Sequence, residues 1–346
     1  MLQINKDTLP PLVSVIMPIR NEGAFIAQSL GAVLQQDYPA ERMEVIVCDG
    51  MSTDDTRDIV ASFAKEHPNV RLVDNIGMIA PKAMNAAEKH CSGDIIARVD
   101  GHCVIASDYI RRCVDHLENE EIDGVGGPID TIGQTPMAKV IATAMSSRFG
   151  VGGSAFRVGN TKSKIVDSIA FPVYTRAIID KAGPYDEQLV RNQDDEYNYR
   201  LRKMGAKLLL APDVQSKYYS RSSFRKLAKQ YFQYGLWKVR VLQKHPLQMR
   251  ARQFAPPVFV ALLIVLGLSA LVSDLARWAL LALSIAYSSV IVLGGILSMH
   301  RQHGWRAIFL PAAFATLHLS YGAGFLIGLV RFAGGWFNRN ENLYHS

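Results

Sequence analysis

The chain has 346 residues, of which 49% are hydrophobic, and it carries 38 Lys+Arg against 31 Asp+Glu, a net charge of +7. The charge is unevenly spread, because residues 254–346 contain five Arg, no Lys, one Asp and one Glu. This distribution disfavours a wholly soluble protein, and the four cysteines form no CxxC pair, which disfavours a disulfide scaffold or a structural zinc site.

The N-terminal part of the sequence predicts an α/β domain. Its first eleven residues contain no apolar run, so we expect no secretory signal peptide. From Leu12 to about Pro128, apolar runs alternate with helical patterns, with strands expected at 13–17, 43–48, 70–73 and 95–99 and helices at 23–36, 54–66 and 82–90. Such alternation is typical of a doubly wound, mostly parallel sheet, in which ligands bind beyond the carboxyl ends of the strands.

The loop after the second strand carries candidate ligand contacts. Asp49 ends this strand, and by position it is equally a turn residue or an acceptor for the ribose or base edge of a nucleotide. A Rossmann dehydrogenase is disfavoured because no GxGxxG follows the first strand. Asp54 and Asp55 lie where a helix begins, so we interpret them as capping residues.

The loop after the fourth strand predicts a metal site. Asp100 follows the strand directly, and Gly101 and His102 come next, so one short turn can present a carboxylate and an imidazole. That pair suits Mn²⁺, and Asp with water and phosphate oxygens suits Mg²⁺. The ion would neutralise the diphosphate of a nucleotide and assist its departure. A turn-capping Asp beside an incidental His is the alternative.

A second cluster of carboxylates lies farther along the chain, at Asp186, Glu187, Asp194, Asp195 and Glu196. Asp194 and Asp195 fall near the N-terminus of a predicted helix, where the helix dipole favours acidic groups. Three adjacent carboxylates exceed what this preference needs. We therefore predict that one of them is a general base toward a hydroxyl, with its pKa raised by its neighbours.

A basic segment precedes the apolar part of the chain. Residues 214–253 contain ten Lys/Arg and no Asp or Glu, and apolar and aromatic residues recur at helical intervals after Ser223. We predict an amphipathic helix capped by Ser223, within a segment 216–253 that lies in the headgroup layer of a membrane. Nucleic-acid binding is disfavoured because an apolar span follows directly.

Three uncharged stretches, 254–273, 278–300 and 307–330, predict a membrane region over 254–346. Each is long enough to cross a hydrocarbon core of ~30 Å as a helix. The third contains Pro311, His318 and several Gly, so a kinked or re-entrant segment stays open there. The positive-inside rule places the domain 1–215 in the cytoplasm at the inner membrane, and three spans would place the C-terminus outside.

Together these motifs resemble those of the family 2 glycosyltransferases, inverting enzymes of the GT-A fold. The resemblance covers nearly all of residues 12–240 and rests on five motifs in order, VSVIMPIRNE, VIVCDGMSTDDT, ARVDGHC, GPYDE with NQDDEYNYRLR, and QYGLW. Within the family, RVDGHC, NQDDEYNYRLR and the C-terminal spans are most similar to succinoglycan-biosynthesis glucosyltransferases, which add glucose from UDP-glucose to a lipid-linked saccharide.

The resemblance implies a role for each matching residue. Asp194 would be the catalytic base, and Asp100 would act at the diphosphate with Mg²⁺ or Mn²⁺, joined by His102. Asp49 would contact uracil or ribose. The other residues implied in donor binding are Pro18, Arg20, Glu22, Gln233 and Trp237.

The sequence departs from the family pattern at three motif positions. His102 replaces the second Asp of the DxD motif, Gln193 replaces the Glu of the ED motif, and Leu236 replaces the Arg of the QxxRW motif. The last change weakens an expectation of processive polymer synthesis.

These features predict a membrane-bound inverting hexosyltransferase. It would move a hexose, glucose by resemblance, from a UDP-sugar to a hydroxyl of a lipid-linked saccharide in exopolysaccharide biosynthesis. Two alternatives stay open: a polyprenyl-phosphate glycosyltransferase, whose acceptor is already ionised, and a non-catalytic nucleotide-sugar-binding membrane subunit.

Overall fold

The computed structural model describes residues 9–159, 162–299 and 301–336. The chain folds into two compact units, which we call the sheet unit (Met1–Asp130 with Gly159–Tyr218) and the helical unit (Thr131–Val158 with Tyr219–Ser346). The segment 131–158 therefore belongs with the C-terminal helices, whereas the sequence pattern assigned it to the domain 1–215.

The predicted strands at the start of the chain are all present, and seven further strands follow them in the described residues. The strands are β1 (Val13–Ile19), β2 (Met43–Asp49), β3 (Val70–Asp74), β4 (Ile95–Arg98), β5 (Cys103–Ile105), β6 (Gly124–Gly126), β7 (Ile129–Ile132), β8 (Lys164–Ile165), β9 (Val173–Thr175), β10 (Leu208–Leu210) and β11 (Ser216–Tyr219).

The main sheet confirms the doubly wound, mostly parallel prediction. Its strand order is β3-β2-β1-β4-β9-β6-β10-β8, and β5-β11-β7 form a small second sheet. The pairs among β3, β2, β1 and β4 are parallel, whereas β9 runs antiparallel to both β4 and β6. Because Ile19 pairs with Asp49 at the last register position, the loops after β1 and β2 leave the sheet side by side.

The strands are apolar because helices cover both sheet faces. Val13, Val15 and Met17 of β1 have no exposed surface. The same holds for Ile26 and Leu30 of the first helix. The helices of the sheet unit are α1 (Ile26–Leu34), α2 (Thr56–Glu66), α3 (Ala80–Glu88), α4 (Tyr109–Asn119), α8 (Arg176–Ala182) and α9 (Gln193–Lys203).

The α9 helix is held in place by an aromatic and ionic anchor. The Tyr197 ring stacks on the Tyr185 ring with centroids 3.9 Å apart, and the Arg200 guanidinium lies 4.8 Å from the Tyr197 centroid. Arg200 also donates to the carbonyl oxygens of Ala182 and Pro184, at 2.6 and 2.9 Å. The first turn of α9 is therefore fixed by contacts made one turn farther along the same helix.

The helical unit contains the predicted membrane region. Its helices are α5 (Pro136–Ser146), α6 (Arg148–Val151), α7 (Ala155–Val158), α10 (Phe224–Lys244), α11 (Ala251–Ser269), α12 (Asp274–Leu297) and α13 (Leu310–Arg331). Ser223 caps α10, as predicted, by accepting from the Lys226 amide at 3.4 Å. Three helical stretches are long and apolar enough to cross a membrane: Ala251–Ser269, Asp274–Leu297 and Gly304–Arg331.

Candidate active site

The loops after β1 and β2 are tied together by hydrogen bonds. The Asn21 amide donates to the Ser52 hydroxyl at 2.8 Å, and the Asn21 side-chain oxygen accepts from the Thr53 amide at 2.9 Å. The Glu22 amide donates to the Thr56 hydroxyl at 2.8 Å. Asn21 has a φ of 53°, a left-handed conformation that Asn tolerates better than most residues. These bonds give a defined shape to the edge of the sheet where ligands bind in this architecture.

Asp49 lies at the centre of this edge and is completely buried. One carboxylate oxygen accepts from the Ser52 hydroxyl at 2.5 Å, and the other accepts from the Ser52 amide at 2.9 Å and from Arg57 at 2.8 Å. Arg57 also bonds to Asp74 at the end of β3, at 2.8 Å. Asp49 therefore links the ends of β2 and β3 through Arg57, and a nucleotide contact would have to share these bonds.

Asp54 lies one residue before the N-cap of α2 and bonds to the first residue of the helix. Its side chain accepts from the Thr56 amide at 3.2 Å and the Thr56 hydroxyl at 2.5 Å, and it also accepts from the Gly23 amide at 3.1 Å. The Thr56 hydroxyl lowers the pKa of Asp54. Asp55 occupies the N-cap position without a side-chain hydrogen bond to the helix.

Arg20 and Pro18 of the first motif lie on the same edge. The Arg20 side chain passes over Gly50 and donates to the carbonyl oxygen of Met78 at 3.3 Å, and the residue is exposed. Pro18 is partly exposed and pairs with Cys48 of β2. Met78 has a φ of 57°, so this loop also contains a left-handed residue.

A buried arginine joins the two carboxylates that the sequence singled out. Arg98, at the end of β4, is 7% exposed, and two of its nitrogens contact one oxygen of Asp100 at 2.9 and 3.0 Å. A third nitrogen of Arg98 bonds to Asp194 at the start of α9. The side chain of Asp194 is 45% exposed, so it is accessible to a ligand as well as paired with Arg98. The structure thus brings together residues 96 positions apart in the chain.

The charges of this trio act on one another. Burial raises the pKa of Asp194, Arg98 lowers it, and Asp100 and Asp195 raise it, with a net upward displacement. Burial by itself would lower the pKa of Arg98, but Asp100 and Asp194 raise it well above its usual value. The arginine is therefore a permanent cation, and Asp194 is a stronger proton acceptor than an ordinary aspartate.

The neighbouring carboxylate Glu196 has a structural role. It is completely buried and makes a two-point ion pair with Arg200, at 3.0 and 3.1 Å. Gln193, which stands where the family motif has Glu, is 6% exposed at the first position of α9. In the acidic cluster, Asp194 is the residue that contacts Arg98.

His102 contacts Glu22 across the loops after β4 and β1. The Nδ1 atom of His102 lies 2.8 Å from a Glu22 oxygen, and the His102 ring meets Tyr218 edge-on with centroids 5.1 Å apart. A Cβ at Gly101 would lie 2.9 Å from side-chain atoms of both Glu22 and Ile19, so the absence of a side chain permits this approach. Over the described ranges, no group of three or more His, Cys, Asp or Glu is arranged to hold a metal ion.

Gln233 and Trp237 lie in the helical unit, on α10, whereas the other predicted site residues lie in the sheet unit. The Trp237 indole donates to the Gln233 side-chain oxygen at 3.1 Å, and the Trp237 ring packs against Phe332. Leu236, which replaces the motif Arg, is 3% exposed and therefore serves as a packing residue.

Comparison with known proteins supports the resemblance. A family model described as glycosyl transferase family 2 matches residues 14–181. The chain is 30% identical over 325 residues to the succinoglycan biosynthesis protein ExoA of Rhizobium meliloti, covering 92% of this chain and 95% of that protein. The chain belongs to glycosyl transferase family 2.

Two further comparisons extend this result. This family 2 glycosyltransferase is 30% identical, over 67% of its length and 74% of the relative, to a dolichyl N-acetyl-α-D-glucosaminyl phosphate 3-β-D-2,3-diacetamido-2,3-dideoxy-β-D-glucuronosyltransferase of Methanococcus voltae. Its fold is similar to that of a mannosyltransferase from Pyrobaculum calidifontis, solved with GDP-mannose and Mn²⁺. That similarity has a TM-score of 0.58 at 20% identity and covers 95% of this chain and 91% of the other. The predicted GT-A fold is confirmed.

Two site residues of this glycosyltransferase were missed by the sequence interpretation, Arg98 and Arg57. Arg98 interrupts an otherwise apolar strand, Ile95–Arg98, and a buried cation in such a strand requires an anionic partner. The sequence alone therefore contained a signal that Arg98 has a carboxylate partner. Arg57 lies on a helix surface in the sequence pattern, and its partners on two strands become apparent only from the fold.

Proposed function

We propose that this glycosyltransferase transfers glucose from UDP-glucose, with inversion, to a hydroxyl of a lipid-linked saccharide during exopolysaccharide synthesis. It would act at the cytoplasmic face of the inner membrane. The observation that carries the proposal is the bridge from Asp100 through Arg98 to Asp194, because it sets a leaving-group site and a proton acceptor beside each other.

In this mechanism Asp194 is the general base. As the acceptor oxygen attacks the anomeric carbon, its proton passes to the Asp194 carboxylate, the new C–O bond forms and the bond to the diphosphate breaks. One displacement without a covalent sugar intermediate inverts the anomeric centre, so an α-linked donor gives a β-glycoside. The raised pKa of Asp194 makes this carboxylate a better proton acceptor for the transfer.

Arg98 has a positioning role in the same proposal. Its fork fixes the orientation of both carboxylates, and its charge favours the ionised form of Asp194 and opposes the upward effect of burial on the pKa of that carboxyl. A planar guanidinium can hold two carboxylates at once, which a lysine does less well.

The residues after β4 fit a divalent cation, Mg²⁺ or Mn²⁺. Both contacts of Arg98 with Asp100 fall on Oδ1, and Oδ2 makes no hydrogen bond to any described residue. The Glu22 carboxylate at Nδ1 of His102 favours the tautomer whose Nε2 can ligate a metal. When bound, the ion would neutralise charge on the UDP diphosphate. The Pyrobaculum neighbour was solved with Mn²⁺.

The acceptor is a lipid-linked saccharide rather than a lipid phosphate. A phosphate acceptor is already ionised at neutral pH and needs little help from a base, whereas a hydroxyl needs the proton acceptor that Asp194 provides. The name of the Methanococcus relative describes a sugar linked to dolichyl phosphate, and that of the Rhizobium relative describes succinoglycan biosynthesis. The first name supports an acceptor saccharide carried on a lipid, and the second supports a role in polysaccharide synthesis.

The test is transfer of radiolabel from UDP-glucose to extracted lipid in membranes that contain the full chain. We expect labelled lipid-linked saccharide from UDP-glucose with Mg²⁺ or Mn²⁺ and none after chelation. Label on free polyprenyl phosphate would indicate the alternative acceptor. Binding of UDP-glucose without turnover on any lipid fraction would instead support a non-catalytic subunit.

A further inference from the structure

In the helical unit, α13 packs along α10 with both helices running in the same direction. A Cβ on Gly324 would overlap the carbonyl oxygen of Phe232, and farther along the Gln243 side chain donates to the Phe332 carbonyl oxygen at 2.6 Å. The contact positions rise together along both helices, from 232 with 324 to 243 with 332. The second half of α13 therefore lies side by side with α10.

The charges of α10 place this pair of helices outside the hydrocarbon core. Six of the 21 residues of α10 are Lys or Arg. Each of these charges is strongly unfavourable at the centre of a bilayer. Lys238, 2% exposed, donates to Gln248 at 2.7 Å, so its charge is buried against polar protein groups. The second half of α13 lies beside α10 as far as Arg331. It therefore lies at the same depth relative to the membrane as this basic helix.

The first half of α13 is too short to cross alone. Residues 310–320 are 11 residues, which as a helix measure about 16 Å, whereas the hydrocarbon core is about 30 Å thick. This half is also covered by protein. His318 bonds to the carbonyl oxygen of Phe149 at 2.8 Å, and Leu317 touches the position of Gly150.

Burial separates α13 from the other two apolar helices. In an apolar 18-residue segment within Gly304–Arg331, 39% of residues are buried, against 11% in the corresponding segments of Ala251–Ser269 and Asp274–Leu297. The α11 and α12 helices form a hairpin in which the Phe259 and Tyr287 rings stack at 4.2 Å. Its turn exposes Leu271, Val272 and Leu275 by 75, 88 and 80%. Both helices are long enough to span a bilayer and expose apolar side chains, so they are suited to contact with the acyl chains of lipids.

Flanking charges indicate the same arrangement. At the turn of the hairpin, Asp274 and Arg277 form an ion pair at 2.6 Å, so their charges cancel. Arg301 and Arg306 precede α13 and Arg331 ends it, with no acidic residue from 298 to 331. By the positive-inside rule both ends of α13 lie on the side that holds the basic helix α10, and the turn lies on the other.

We propose that, of the three apolar helices, α11 and α12 cross the membrane, whereas α13 lies across the base of their hairpin with both of its ends on the side of α10. The lipid bilayer is the partner of the exposed hairpin surface. The residues 332–336 that follow α13 then lie on the same side of the membrane as α10, whereas three crossing helices would place them on the opposite side. This inference rests on the membrane attachment in the proposed function.

Single cysteines in the full chain test this topology. In a Cys91→Ser background, where the other native cysteines are buried, we would introduce Ser62→Cys on α2, Val272→Cys at the hairpin turn and Gly334→Cys beyond α13. A Cβ at Gly334 meets open space, and Ser62 is exposed. Each variant is treated with a membrane-impermeant maleimide in sealed spheroplasts and in inverted vesicles.

We expect Ser62→Cys and Gly334→Cys to react in inverted vesicles, and Val272→Cys to react in spheroplasts. Reaction of Gly334→Cys together with Val272→Cys would overturn the proposal in favour of three crossing helices. Reaction of Val272→Cys together with Ser62→Cys would also overturn it, because the hairpin would not cross. Labelling does not require turnover, so loss of the proposed transferase activity would be detected separately by the radiolabel assay.

Discussion

The two units of this glycosyltransferase are specified by different kinds of contact. In the sheet unit, charged side chains at the strand ends satisfy one another, as Arg98 does with Asp100 and Asp194. In the helical unit, glycines such as Gly324 let one backbone approach another closely. The first unit should therefore be most sensitive to changes of charge at constant size. The second should be most sensitive to added volume at constant charge.

The largest effect is expected for Asp194→Asn, which keeps size and removes the base. We expect turnover to fall by about 10²–10⁴-fold, the usual contribution of a general base, while UDP-glucose binding is retained. The measurement is radiolabel transfer with isothermal titration of the donor. Asp195→Asn is the matched control one residue along α9, and loss in that variant with near-normal transfer in Asp194→Asn would refute the base assignment.

Changes at Arg98 should move the pH dependence of the reaction. Asp194 must be ionised to accept a proton, so transfer falls as pH drops through its raised pKa. In Arg98→Met the lost cation raises that pKa further, and we expect the acid limb of kcat/KM to shift upward by about one pH unit or more. Arg98→Lys keeps the charge and should shift it less. If the acid limb of the kcat/KM profile does not move in Arg98→Met, the electrostatic role of Arg98 is contradicted.

Glu22→Gln should weaken metal binding through His102. The carboxylate that orients a metal-ligating histidine typically contributes 10–100-fold in affinity, so we expect the Mn²⁺ concentration for half-saturation to rise by about that factor. The readout is Mn²⁺ binding by electron paramagnetic resonance. Glu118→Gln, at an exposed position on α4, is the control. Equal Mn²⁺ affinity in the two variants would exclude this role for Glu22.

Gly324→Ala should destabilise the helical unit without touching a charge. Its Cβ would overlap the Phe232 backbone, and overpacking of this kind costs about 1–3 kcal/mol. Gly267→Ala on α11, where a Cβ meets nothing, should be neutral or stabilising. Thermal unfolding of the full chain in detergent compares the two. Equal melting temperatures would show that the glycine contact does not determine packing.

The smallest effect is expected at the hairpin turn. The Asp274–Arg277 pair is exposed, with side chains 83 and 58% accessible. Exposed pairs of this kind contribute about 0–1 kcal/mol, so Asp274→Asn should leave the melting temperature nearly unchanged. A large loss would mean that the pair is enclosed in the membrane-bound protein.

Much of the sheet unit could be predicted because its signals are local. Apolar runs of strand length gave β1 to β4 within two residues of their ends, and position at a strand end singled out Asp100. Asp194 could be predicted as a residue near a helix start. Its link to Asp100 could not, because the link passes through Arg98, and pairing between residues 96 positions apart depends on the sheet order.

The helical unit was less predictable for a physical reason. Hydropathy reports how apolar a helix is, but not whether lipid or protein covers it, so all three uncharged stretches were predicted as spans and only Pro311, His318 and the glycines set the third apart. Gly324 and Gly328 are ordinary residues in an apolar run, and only the fold shows that each faces α10. The separation of 131–158 from the sheet unit likewise depends on contacts with distant helices.

The left-handed residues at the sheet edge have a consequence for redesign of the enzyme. Met51 and Met78 have φ values of 56° and 57°, and both side chains project outward, 38 and 43% exposed. Glycine adopts this backbone without cost, so the turn geometry can be kept while each side chain is deleted. At these two positions, Met→Gly therefore removes a side chain from the loop surface without rebuilding the loop.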